Sequence, residues 1–418
     1  MTIEIMKKSI VASITLVLLM HFGTGAEIQA TVNQNNMNLE DSIRSRLAIR
    51  KGAMKRYVPK ILGLQKEINK GSAIFLISPR LNKDAGPFLN PRVEWQDVVN
   101  DKTSKTAYEK YMASLGVVKV NKLSLPSQTT ERLKSLGPDY YKNPSEFDLK
   151  VIDFGWFKEL QKYDYWNIEV NSPLAYLDRF DFTQNPVPNL VSLILWSKLR
   201  LIKGIQEKNI KSAIDETVHL GKLLHSTETL IGAVSSIAIL KSVSQFAKDQ
   251  GAPLAVDATV LDKAKLYFMA LPKALGNPVI DIQDYTQISQ AGSGPGYCAA
   301  VNEAGSGLLM YKPLLEIDLK DIYAKYGAIL NSQAPCRWVN IRRAWTGDTK
   351  YVIHFKSLPS ASLEARRQAT ELIKQSLSDD DYKKLIAEVS NPRWPQYFGY
   401  LLALQFTPES MFSNLDSK

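Results

Sequence analysis

The sequence predicts a mainly α-helical fold: antiparallel helical hairpins in a bundle or short solenoid-like array, with room for minor β structure. Three observations carry that prediction. Apolar residues recur at helical spacing through long stretches. Between Pro188 and Gly251 three such stretches follow one another with short connections, which makes consecutive helices antiparallel neighbours. Residues that cap or stop helices punctuate the ends, Asn189 before the first and Gly251 with Pro253 after the third.

The chain opens with Lys7 and Lys8, an apolar run from Ile10 to Met20, and small residues at Gly23, Gly25, Ala26 and Ala30. That is the order of a secretory signal peptide, so residues 1–30 are expected to be a leader cut after Ala26 or Ala30, and the protein to be periplasmic or secreted. The run falls short of the roughly 20 apolar residues of a spanning helix, which leaves an uncleaved anchor from Ser9 to Ala26 as the lesser alternative. Lys7 and Lys8 balance Glu4 and Glu27, so the formal charge of +10 belongs to the rest of the chain. Outside the cytoplasm such a surplus favours lipid head groups or acidic envelope polymers and argues against nucleic acid. The two cysteines, Cys298 and Cys336, are expected to pair in that compartment. Closing their loop adds on the order of 3 to 4 kcal/mol in the chain-entropy picture.

Residues 31–104 divide into a basic helical segment and an irregular linker, and residues 105–418 form the main helical domain. In the first part Ile43, Leu47, Met54, Val58, Ile61, Leu62 and Ile68 make one apolar stripe, which predicts a helix pair or a helix kinked at Pro59. The same span carries Arg44, Arg46, Arg50, Lys51, Lys55, Arg56, Lys60, Lys66 and Lys70. A basic amphipathic helix of this kind either lies on an anionic membrane surface through residues 39–70 or packs its stripe on the body; the missing Trp and Phe anchors favour packing. Residues 71–104, rich in Pro, Asn and Asp, read as an irregular connection over the surface. Short strands are expected at Ala73 to Ile77 and Val117 to Val120. Leu190, Leu193, Ile194, Leu195, Trp196, Leu199, Leu201, Ile202 and Ile205 nearly encircle the helix after Asn189, so it belongs at the centre of the core. The next helix shows Ile210, Ala213, Ile214, Val218, Leu220 and Leu224 on one face. The third, from about Thr227, contains Gly232, Ala233, Ser235 and Ser236, which allow close approach, and Lys241, which argues against a membrane span. Further helices are expected at Asp257 to Leu271, Leu363 to Leu377 and Asp379 to Val389.

Asn189 to Gln250 loosely resembles tetratricopeptide-like helix pairs, although Trp196, Gly204 and Ala213 fall off that family's offsets and no second copy follows at a fixed period. Asp153, Phe154, Gly155 and Trp156, then Tyr163, Asp164, Tyr165, Trp166 and Asn167, then Ser172 and Pro173, with the segment from His219 to Thr229, are similar to stretches of uncharacterised exported helical proteins of Gram-negative bacteria. That resemblance implies fold and compartment and no activity.

Twelve aromatic residues lie between Tyr140 and Phe182, interleaved with carboxylates. Aromatic faces beside acids hold sugar rings, and two carboxylates at the right separation hydrolyse a glycosidic bond, so Trp156, Tyr163, Trp166, Asp153 and Asp164 are the candidate ligand-binding residues. Aromatics used as core and acids facing water explain the same pattern more simply. His219 and His225 are six apart on different faces of one helix, which excludes a zinc-protease pairing, and no third ligand is evident; no metal or cofactor is expected. Ser293 and Ser306 have Ala where a nucleophile elbow needs its first Gly. Arg337, Trp338, Arg342, Arg343, Trp345 and Lys350 would suit a carboxylate or phosphate, or a helix surface whose arginine stems cover the aromatics. The leading expectation is a non-enzymatic binding or scaffold protein of the cell envelope, holding a protein or an anionic polymer. The alternative is an envelope glycan hydrolase using paired carboxylates.

Overall fold

A computed structural model describes residues 55–70, 82–96, 110, 113–114, 121–176, 187–254, 256–275, 282–292 and 294–302. The described part is 70% helical, which makes the protein mainly α. Helix α1 covers 55–70, α2 Gly86–Leu89, α3 Ser127–Leu136, α4 Gly155–Leu160, α5 Leu190–Gln206, α6 Ile210–His225, α7 Leu230–Asp249, α8 Ala258–Leu275, α9 Ile282–Ala291 and α10 294–302. One two-residue antiparallel pair, β1 (Trp95–Gln96) with β2 (Val187–Pro188), matches Trp95 with Pro188 and Gln96 with Val187. The helices expected at 363–377 and 379–389, and the strands at 73–77 and 117–120, lie outside the described residues.

The helical core follows from its end signals. Asn189 caps α5 by accepting the Ser192 N–H at 3.2 Å. The helix closes with Lys208 in the left-handed region (φ 55°), where Asn209 N–H reaches Gly204 O at 2.8 Å and Lys208 N–H reaches Ile205 O at 3.1 Å. This double closure satisfies the last carbonyls and turns the chain sharply into α6. A Cβ on Gly204 would stand 2.5 Å from that of Ala213, so a glycine is what lets α5 and α6 meet at their turn. Thr229 caps α7, its hydroxyl accepting the Gly232 N–H at 3.0 Å. Gly251 (φ 62°) ends α7 in the same closure used by α5, Ala252 N–H reaching Ala247 O at 2.8 Å. Helices α5, α6 and α7 each touch the other two, and α8 packs on α7. α7 is long and apolar enough to cross a membrane. Here its apolar length packs against its neighbours: Ile237, Ile239, Leu240, Val243 and Phe246 are all buried. Asp257 starts α8 by accepting the Thr259 N–H at 2.8 Å.

Two segments lie outside the helical hairpins, and the second differs from expectation. Helix α1 runs through Pro59 over all of 55–70, at the loss of one backbone donor. Its stripe of Tyr57, Val58, Ile61 and Ile68 is buried, while Lys55, Arg56, Lys60, Lys66 and Lys70 face out. Glu67 ties it to α8 through Lys263 at 2.6 Å. The second is 82–96, expected to be a surface connection. It places Ala85, Leu89 and Val93 in the same core as the helices, because buried Asn90 binds it to a distant loop. The Asn90 side-chain nitrogen donates to Asn167 O at 2.8 Å and Val170 O at 2.5 Å, its Oδ1 accepts from Trp166 Nε1 at 2.8 Å, and its carbonyl accepts from Trp95 Nε1 at 2.8 Å. Asp84 adds a second fastening, accepting from Asn167 N–H at 2.9 Å.

Candidate functional site

Most of the described aromatics of the stretch belong to the core. Trp166 is fully buried on Asn90, and Trp156 is 7% exposed and meets Trp196 edge to face, ring centres 5.5 Å apart. Tyr140, Tyr141, Phe147 and Phe157 are buried as well. Tyr163 is half-buried and stacks on Phe88 at 5.7 Å. No open indole platform for a sugar ring is left at Trp156 or Trp166, because each ring spends its faces on other side chains.

Asp153 and Asp164 are both exposed but do different things. Asp164 accepts the Lys83 N–H at 3.2 Å and helps close the loop around Asp84. Asp153 accepts the Gly155 N–H at 2.7 Å, which sets the turn that starts α4. Of the five candidate residues only Asp153 lines the cleft of about 520 Å³ that opens between the 150–155 loop, α4, and the facing sides of α5 and α6. That volume falls within the range of small-molecule sites. Just upstream of that loop, residues 144–147 are fastened to the end of α5 by Gln206, whose amide donates to Phe147 O at 2.9 Å and Pro144 O at 2.7 Å.

The cleft's charges come mostly from residues that sequence reasoning passed over. Arg200 of α5 is 5% exposed. Its Nε donates to Glu216 Oε2 of α6 at 2.6 Å, and Ser212 donates to Glu216 Oε1 at 2.9 Å. Lys203 pairs with Glu207 at 3.2 Å and stands 5.9 Å from the centre of the Phe154 ring. Lys150 and Lys158 complete the lining together with Val151, Ile152 and Phe154. Among the described residues neither lysine has a carboxylate partner. A signal for Arg200 was present in the sequence: a charged residue inside a helix apolar on nearly every side must be buried, and a buried guanidinium requires an acid on the helix it faces.

The two described histidines serve the fold. His219 Nε2 lies 2.8 Å from Leu160 O, and burial lowers its pKa. His225 is buried against Phe268, ring centres 5.6 Å apart, and burial pushes it down to about 4. Among the described residues no group of three or more His, Cys, Asp or Glu could hold a metal ion. Cys298 is buried in α10; Cys336, His354, Ser306 and the cluster from Arg337 to Lys350 lie outside the described residues. The chain matches no family model, no curated protein and no solved structure.

Proposed function

We propose that this is a non-enzymatic binding or scaffold protein of the cell envelope that holds an anionic polymer or a protein carrying acidic groups. The observation that supports this most is the state of the cleft's acids. Asp153, Glu207 and Glu216 are each already engaged, with the Gly155 N–H, Lys203 and Arg200, while Lys150 and Lys158 have no carboxylate partner among the described residues. A hydrolase needs two carboxylates facing each other across a cleft with one held protonated by burial. The engaged, partly exposed acids of this cleft favour binding, and Asp164 is not among its lining residues.

The envelope location rests on the expected signal peptide over residues 1–30, and the resemblance of Asp153 to Trp156, Tyr163 to Asn167, Ser172 with Pro173, and His219 to Thr229 to exported helical proteins points the same way. The tetratricopeptide-like character rests on the successive hairpins α5–α6 and α6–α7. A bridge between Cys298 and Cys336 rests on an even pair in an exported chain. The outward basic face of α1 supplies a second anionic contact, electrostatic in kind because its apolar stripe is buried.

Purified protein incubated with cell-wall sacculi is expected to co-sediment without releasing soluble sugar. Release that is lost when Asp153 becomes Ala would replace this proposal with the glycan hydrolase; absence of both sedimentation and release would remove the wall polymer as ligand.

A further inference from the structure

We propose that the cleft beside Arg200 is a binding site for a small molecule carrying a carboxylate or phosphate group, seated on the guanidinium edge that Glu216 leaves open. The inference deepens the binding role above and rests on it for the choice of an anionic ligand.

A guanidinium has five donors and stays charged at any accessible pH. In Arg200 the side-on edge is taken, Nε bonding Glu216 Oε2. Nη1, on the end-on edge, is buried and has no acceptor among the described residues. A buried donor left without a partner is costly, and the cost is larger for a charged group. Glu216 cannot serve both edges, since its second oxygen is held by Ser212 at 2.9 Å. An oxyanion is the acceptor whose geometry fits the open edge, because carboxylates and phosphates take paired N–H donors from an arginine.

The rest of the cleft suits the same class. Four cations (Lys150, Lys158, Arg200, Lys203) face three carboxylates (Asp153, Glu207, Glu216), a surplus of one positive charge. Lys150 and Lys158 supply that surplus. Val151, Ile152 and Phe154 give an apolar wall for the remainder of the ligand, and Val151, 86% exposed, has no packing role of its own. Nη1 is shielded from solvent, so seating the oxyanion involves a local side-chain rearrangement of the cleft wall. A plain structural arginine would need none of this: it would have its donors answered inside the protein, with no neighbouring lysines that lack a carboxylate partner among the described residues.

Calorimetric titration of the full chain at low ionic strength, with inorganic phosphate and separately with benzoate, tests the site. Saturable one-site binding tighter than about 1 mM is expected for one of the two, and the preferred probe tells a phosphate ligand from a carboxylate on an apolar body. The exposed pair Lys150→Ala with Lys158→Ala is expected to weaken it about tenfold while leaving the thermal melt unchanged, and Arg200→Lys to abolish it. Lys66→Ala with Lys70→Ala on α1 is the control expected to change nothing. No saturation by either probe, or full binding by the Lys150 and Lys158 variant, overturns the site. If sacculi still sediment with a protein that binds neither probe, only this inference fails; if a probe binds and sacculi do not sediment, the polymer role fails and the site stands.

Discussion

Acidification should weaken this fold, and one side chain contributes a share that can be isolated. His225 is buried and held down to about 4 by desolvation, whereas in an unfolded chain a histidine titrates near 6.5. Between those values the unfolded state binds a proton that the folded state refuses, so stability is complete above about pH 6.5 and falls as pH drops toward 4. Linkage across that window gives a loss of about 2.5 kcal/mol at about pH 4.5 and a ceiling of about 3.4 kcal/mol below pH 4. Urea unfolding at about pH 7.5 and 4.5, for the protein and for His225→Leu, isolates the effect, since every other titrating group is shared by the two. The variant should lose about 2.5 kcal/mol less on acidification than the parent. Equal losses in both would mean that His225 is protonated in the folded state, and the burial argument would be refuted.

Other perturbations follow from the same packing. Glu216→Leu strands the Arg200 guanidinium without its acid partner and should cost about 3 to 5 kcal/mol by denaturant titration, with much of it recovered in the Arg200→Met, Glu216→Leu double variant. Asn90→Leu removes three side-chain hydrogen bonds and leaves the Trp166 indole donor and the Asn167 and Val170 carbonyls unanswered, while the bond from Trp95 to the Asn90 backbone carbonyl stays. A loss of about 2 to 4 kcal/mol is expected, and a change below about 1 kcal/mol would show that the hub is dispensable. Gly204→Ala adds helix propensity worth about 1 kcal/mol, but its Cβ would crowd Ala213 at 2.5 Å. The crowding should prevail and lower the melting temperature, and Gly204→Ala with Ala213→Gly should restore it.

Much of the helical core was legible because its signals are local. Asn189, and Gly251 with Pro253, mark ends by backbone chemistry that requires no partner, the third helix starts within two or three residues of the expected Thr227, and the apolar spacing of α5 and α6 names their buried faces. Helices α9 and α10 escaped notice because Ser, Gln, Gly and Ala carry little apolar contrast. The 82–96 segment was misread as surface since its order comes from hydrogen bonds made by Asn90 and Asp84 to residues some 80 positions away. Of the candidate residues, Asp153 alone lines the cleft. Trp156 and Trp166 drew attention as aromatics beside acids, but a pattern of types does not say which rings face outward. Arg200 and Glu216 are sixteen residues apart, and only the turn at 207–209 brings them together.

The Asn90 hub also bears on how the chain reaches its fold. Helices α5 to α8 are joined by short turns and make contacts that are close in sequence, a topology that forms quickly. The clasp between residues 84–95 and 165–170 must instead close a loop spanning the whole of α3 and α4, and that closure comes before any of its hydrogen bonds can form. Helix hairpins that assemble first and a clasp that shuts last imply an Asn90 substitution that speeds unfolding and leaves the folding rate nearly unchanged. The same order leaves the buried faces of Leu89, Val93 and Trp166 uncovered until the final step, so the clasp is the gate through which this protein would be lost to aggregation.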